Sequence, residues 1–277
     1  MTRLLCRTAT LPEVERMLDW AADEGWNPGR DDAAAFYAAD PQGFFAAEVE
    51  RQPVAAISVV NHSESYAFLG LYLCRPDFRE QGIGFALWQH AITHAGGRTV
   101  GLDGVSAQEA NYAKSGFVLA DRTRRLTGVI AIDAPSLPLA TQEDFATLAR
   151  LDKAATGVSR ERFLGEWLRN GPTRKTVLLR EGADVTGFAT ARLCREGVKI
   201  GPIVASDAAA ALHLAHQAAA AMAEPLAIID VPDRCAAFGA LLRQSGFVEG
   251  FATARMYRGV GAEIGATLHA VGTMELG

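Results

Sequence analysis

No apolar run in this 277-residue sequence approaches the length that spans a bilayer. The opening stretch, Met1 to Cys6, holds one arginine and no long apolar core of the kind an export signal carries. A soluble, cytoplasmic protein is expected. Blocks of like charge are also missing: 27 basic side chains face 32 acidic ones, a net charge of −5. Neither nucleic acid nor a membrane surface is therefore an expected partner. Cysteine is scarce, and Cys6, Cys74, Cys194 and Cys235 form no CxxC or other ligand spacing, so reduced thiols are expected. The histidine pairs His90/His94 and His213/His216 can each share a helix face, but no carboxylate or thiol joins them in a ligand pattern. No metal is expected.

Apolar residues, by contrast, make up 49% of the chain, enough to bury real cores, and the length suits two globular domains. Leu11 to Trp26 has the apolar spacing of an amphipathic helix, broken by Glu24-Gly25-Trp26-Asn27-Pro28-Gly29. A second short helix is expected over Asp31 to Ala39. Phe44 to Val49 and Val54 to Val60 read as a hairpin, and the almost wholly apolar Tyr66 to Cys74 as a strand buried on both faces. After a loop come a helix from Gly84 to about Ala95, a strand near Thr99 to Asp103, a helix near Gln108 to Lys114 and a strand from Phe117.

The second half repeats this plan. Ser115-Gly116-Phe117-Val118 returns as Ser245-Gly246-Phe247-Val248, and Arg125 returns as Arg255 at the same spacing. A spacing far beyond the ~20 to 50 residues of solenoid repeats indicates a duplicated domain. Val177 to Arg180 and Val185 to Arg192 form the matching hairpin, and the proline-bearing stretch between Gly128 and Leu139 is the expected join. The expected domains are thus 1–130 and 139–277. In the tail, 261–277, Leu268 to Leu276 reads as a terminal strand.

The most informative stretch is Cys74-Arg75-Pro76-Asp77-Phe78-Arg79-Glu80-Gln81-Gly82-Ile83-Gly84-Phe85-Ala86-Leu87-Trp88, a buried strand running through a loop into a helix. The start of a helix offers unpaired N–H groups and the positive end of the helix dipole, and so favours a phosphate. Gly82 and Gly84 let the backbone approach such an anion, and Arg79 adds charge. The stretch is not a dinucleotide fingerprint, because Leu87 stands where the third glycine belongs, nor a P-loop, because no Gly-Lys-Ser/Thr follows.

With Pro76, Arg79-x-x-Gly82-x-Gly84 and Tyr112-Ala113-Lys114-Ser115-Gly116-Phe117 in this order, the first half resembles the GNAT superfamily of acetyl-CoA-dependent acyltransferases. The whole chain, through Arg255-Met256-Tyr257-Arg258-Gly259 and Glu275-Leu276-Gly277, is similar to a tandem-GNAT type with a degenerate second domain. The resemblance implies an α+β fold of two GNAT-like domains, each with a mixed, mainly antiparallel sheet flanked by helices. It further implies that the main chain of Tyr72, Leu73 and Cys74 binds the pantetheine arm of acetyl-CoA as an added strand would, and that Glu80, Gln81, Gly82, Ile83, Gly84 and Phe85 wrap the pyrophosphate. By the same resemblance Tyr112 protonates the departing thiolate; a core tyrosine anchoring its helix is the alternative. Two departures stand out. Val105 occupies the place of an asparagine that often contacts the cofactor. In the second half Gly201-Pro202-Ile203-Val204-Ala205-Ser206 replaces the phosphate loop and Leu242 replaces Tyr112, so cofactor binding there is expected to be lost.

The implied reaction is direct attack of a small amine on the thioester within a ternary complex. A lysine-like amine of pKa ~10.4 is neutral in about one of ~2,500 molecules at pH 7, a penalty of ~4.6 kcal/mol, whereas an α-amino group near ~7.7 costs ~1. The expected base is Glu24, with Glu64, His62 and a water relay as alternatives. N–H groups near Leu73 and Cys74 are candidate donors to the developing oxyanion. Trp26 and Asn27, in an exposed turn, are candidate acceptor contacts, although Trp26 also suits a core plug. Asp230, at the end of an apolar strand, either caps a turn or meets a cationic substrate. A non-catalytic acyl-CoA sensor is the competing function.

Overall fold

The computed structural model describes residues 4–277. In chain order the first half holds β1 (Leu4–Thr8), α1 (Leu11–Asp23), α2 (Asp32–Ala39), β2 (Phe44–Val49), β3 (Gln52–Asn61), β4 (Tyr66–Cys74), α3 (Ile83–Ile92), β5 (Thr99–Val105), α4 (Glu109–Lys114) and β6 (Val118–Val129). The second half holds α5 (Phe145–Thr156), α6 (Glu161–Trp167), β7 (Arg174–Glu181), β8 (Asp184–Leu193), β9 (Val198–Val204), α7 (Ala208–Met222), β10 (Leu226–Pro232), α8 (Ala236–Gln244), β11 (Val248–Arg258) and β12 (Leu268–Ala270). The expected elements recur within a few residues of their sequence bounds. β1 is an addition, and the expected terminal strand shortens to β12.

The fold is the α+β arrangement of two GNAT-like units, mainly antiparallel, with β4–β5 and β9–β10 the parallel pairs. The strands join into one sheet in the order β1-β2-β3-β4-β5-β11-β6-β10-β9-β8-β7, with β12 pairing β9. The division into 1–130 and 139–277 is therefore one of sequence, because each half lends its β6 or β11 to the other's strands. β11 lies between β5 and β6, and β6 between β11 and β10. Packing follows the exchange. Leu126 of β6 lies in the core built under β7 to β10, while Ala254 and Met256 of β11 lie in the core under β2 to β5. A third core, with Phe36, Phe163 and Trp167 at its centre, joins the helices of the two halves.

Charge crosses the same boundary. Asp32 at the start of α2 is fully buried and accepts from Arg174 Nη2 at 2.7 Å and Arg192 Nε at 3.2 Å, and both guanidinium groups lie over the Trp167 ring, 4.6 and 4.4 Å from its centre. Burying three charges is tolerable only because each has a partner.

Candidate active site

β4 and β5 pair in parallel from Tyr66↔Thr99 to Leu69↔Leu102 and then part. The cause is visible on the other side of β4. The register against β3 slips between Ala56 and Ser58, and Leu71 takes a left-handed φ of +46°, so the strand bulges and turns away from β5. From Gly70 to Cys74 the edge of β4 that faced β5 is left open. It lines a cavity of about 510 Å³.

One end of the cavity is the start of α3. Gly82, at φ +76°, sits at its N-cap with no side chain bonded to the helix end. A Cβ there would be strained by the left-handed backbone, and one at Gly84 would come within 2.9 Å of Tyr72 Oη. Uncapped N–H groups, glycines at the close approach and an open strand edge fit a pyrophosphate followed by a pantetheine arm. Tyr72, Leu73, Cys74, Arg79, Glu80, Gly82, Gly84 and Phe85 all line the cavity. Two expected loop residues do not: Ile83 points into the core beneath α3, and Gln81 bonds back to Asp77 O at 2.9 Å. Arg79 Nε donates to Cys74 O at 2.9 Å and its Nη2 pairs with Glu24.

Tyr112 on α4 lines the same cavity. Its ring stacks on Trp88 at 5.7 Å and meets Phe117 edge-on, as a tyrosine that anchors its helix would. Burial, with a smaller contribution from Tyr72, pushes its phenol up to about 12, so the proton stays on at neutral pH.

The far wall comes from the second half and from the loop after α1. Trp26 lines the cavity, and its carbonyl accepts from Arg125 Nη1 at 2.9 Å and Lys199 Nζ at 2.8 Å. Asn27 points elsewhere: its amide bonds Glu196 O at 2.8 Å and fixes the loop on the turn before β9. Asp230 has both oxygens bonded to Arg125, at 2.8 and 2.9 Å, so its partner is a cation of this chain, neither a turn nor a free ligand. Glu24, the expected base, lies outside the cavity lining, its carboxylate engaged by Arg79. His62 is also outside; its Nε2 donates to Leu276 O at 2.8 Å, and burial together with Arg160 pushes it down to about 4.

Sequence reading missed Arg125, Phe251, Thr253, Met274 and Glu275, all of which line the cavity. The repeat of Arg125 as Arg255 was the available signal for the first. Glu275 stood in the Glu275-Leu276-Gly277 end that carried the resemblance, but nothing local tied it, Phe251, Thr253 or Met274 to this cavity, because the strand exchange and the path of the tail bring them in.

The equivalent place in the second half is closed by the chain itself. Asp207 caps α7, accepting from Ala209 N and Ala210 N at 2.9 Å each, and so occupies the anion position at that helix start. β9 and β10 pair only at Val198↔Ala227 and Lys199↔Ile228, and β12 runs beside β9 beyond them, with Val271 N bonded to Asp230 O at 3.0 Å. Where the first half leaves a strand edge open, the second fills it.

Comparison with known proteins places this architecture. Residues 11–117 match the acetyltransferase (GNAT) family and residues 148–265 an acetyltransferase (GNAT) domain. The holothin acyltransferase of Pseudoalteromonas sp. (strain SANK 73390) is 35% identical over 257 residues, covering 91% of this chain and 87% of that protein. The chain belongs to the GNAT family and is an acyltransferase built from tandem GNAT units. Among solved structures, an acetyltransferase-like protein from Pyrococcus horikoshii superposes with a TM-score of 0.81 at 20% identity, covering 99% of this chain and 96% of that one. A tandem GNAT protein from the clavulanic acid biosynthesis pathway gives 0.61 at 16% identity, over 92% and 98%. Both share the fold. No helix among the described residues is long and apolar enough to cross a membrane.

Proposed function

We propose that the protein transfers an acetyl group from acetyl-CoA to a small amine by direct attack within a ternary complex. The carrying observation is a single cavity that runs from the uncapped start of α3, along the open edge of β4, to the protonated hydroxyl of Tyr112. Bound there, acetyl-CoA supplies an activated thioester. The N–H groups of Gly82 to Phe85 would hold the pyrophosphate, and the β4 edge at Tyr72 to Cys74 the pantetheine arm. Tyr112 would hold the proton that the leaving sulfur requires. Glu24 serves as the brace that fixes Arg79, rather than as the base. Asp230 and Asn27 act at one remove, through Arg125 and through the loop that carries Trp26. Four free cysteines suit the reducing cytoplasm. That a relative at 35% identity is named an acyltransferase for holothin supports a small-molecule acceptor.

Free-thiol release from acetyl-CoA, measured with a panel of amino acids, polyamines and amino sugars, tests the reading. Release that requires an amine and drops in Tyr112→Phe is expected. Tight CoA binding without release on any acceptor would instead identify a sensor.

A further inference from the structure

β4, the strand along the cavity, brings only Leu69, Gly70, Leu71, Tyr72, Leu73 and Cys74 to it, and none is a base at neutral pH. Burial keeps the Cys74 thiol protonated, pushing it up against the smaller pull of Arg79. Other cavity groups are already committed. Asp103 is held by Arg255 at 2.9 and 2.6 Å, Arg125 is held by Asp230, and Glu80 lies in the loop at the α3 end.

One carboxylate stands apart. After β12 the chain leaves the second half and crosses to β4, packing so closely that a Cβ on Gly70 would collide with the Glu275 carbonyl oxygen. Glu275 is buried, lines the cavity, and has the Thr273 hydroxyl as its only side-chain partner among the described residues. The segment is fastened on both sides: Thr273 O receives Gly277 N at 3.0 Å, Leu276 O receives His62, and Gly277 O receives Arg160. The same segment that closes the second half's cleft thus delivers an acidic side chain to the first half's cavity. A buried carboxylate without a cationic partner in contact is costly unless it has a task.

We infer that Glu275 is the general base that receives the proton of the acceptor amine. The inference rests on the proposed amine acceptor and deepens it. The nitrogen forms a bond to the acetyl carbon as the carbon–sulfur bond breaks. One proton passes from nitrogen to the Glu275 carboxylate and one from Tyr112 to sulfur, giving the amide and the CoA thiol. Both side chains then re-equilibrate with solvent. An amine that arrives as ammonium loses its additional proton to water beforehand.

The test compares the full-length wild type, Glu275→Gln, Glu275→Asp and Tyr112→Phe, with tryptamine, glucosamine and lysine as probe amines across pH 6 to 10. Thiol release gives kcat/KM and calorimetry gives acetyl-CoA affinity. For Glu275→Gln the expected result is a fall in kcat/KM of about 100-fold or more at pH 7, the range of acid–base catalysis, with a deficit that narrows as pH rises and hydroxide replaces the missing carboxylate as proton acceptor. Acetyl-CoA affinity stays within about twofold, and Glu275→Asp recovers part of the rate. Glu275→Gln with the wild-type rate and pH profile, while Tyr112→Phe is slow, overturns the inference and leaves the amine reading intact. A slow Glu275→Gln whose pH profile keeps its shape also overturns it, since Glu275 then only holds the segment in place. A wild type that binds acetyl-CoA yet releases thiol with none of the amines overturns the amine reading, and the inference with it.

Discussion

Arg255 on β11 and Asp103 on β5 stand directly opposite each other, joined by two hydrogen bonds of 2.9 and 2.6 Å, and Arg125 on β6 faces Asp230 on β10 in the same way. Each pair takes its arginine from one half and its aspartate from the other. The two differ in surroundings. Burial pushes Asp103 up against the pull of Arg255, with Asp230 and Glu275 adding to the rise. Burial acts on Asp230 too, but Arg125, Lys199 and Arg192 outweigh it and hold that carboxyl below its ordinary value. Removing one partner strands a buried charge. Arg255→Met is expected to cost about 3–5 kcal/mol in denaturant unfolding, whereas the double variant Asp103→Leu/Arg255→Met is expected to be closer to wild type than the single one. A double variant less stable than Arg255→Met would contradict the account.

One molecule of acetyl-CoA is expected to bind per chain. Asp207 and β12 occupy in the second half the two features that the first leaves open, the helix start and the strand edge. Titration calorimetry should give a stoichiometry near one. Asp207→Ala should lower the melting temperature through the lost cap without creating a second site.

Tyr112→Phe keeps the ring packing on Trp88 and removes only the hydroxyl. The fold and the acetyl-CoA KM should therefore be retained, while kcat falls by about 10²-fold or more. Loss of acetyl-CoA affinity with kcat unchanged would make Tyr112 a binding residue.

His62 gives the native state a pH dependence. Its imidazole is half-buried and neutral, pushed from 6.5 to about 4 chiefly by desolvation and then by Arg160. Between those values the unfolded chain binds a proton that the native protein does not, so stability falls as pH drops from about 6.5 to about 4 and this contribution levels off below. The loss is on the order of 3 kcal/mol. His62→Gln, which can still donate to Leu276 O, should flatten this part of the stability–pH curve; an unchanged curve would place the titration elsewhere.

Gly70→Ala should act on the tail. The added methyl meets the Glu275 carbonyl, and the tail must shift or strain by about 1–3 kcal/mol. Thermal melting should fall, and amine turnover should drop more than acetyl-CoA affinity.

Patterns set by neighbours along the chain were legible from sequence. The apolar run Tyr66 to Cys74, the glycines opening α3 and the doubled Ser-Gly-Phe-Val identified the buried strand, the turn that opens α3 and the two related halves, because strand burial, helix starts and glycine turns are dictated within a few residues. In the second half, Gly201 to Ser206, expected to replace the phosphate loop, mostly form the end of β9, and only residues 205–207 link that strand to α7. Tertiary structure alone decided which half each terminal strand joins, that Asp230 answers Arg125, and that Glu275 reaches a cavity some two hundred residues back along the chain. A strand's pairing edge looks the same to any partner of matching register. The choice among partners rests on side chains packed beneath the sheet and charges buried across it, which become neighbours only once the chain has folded.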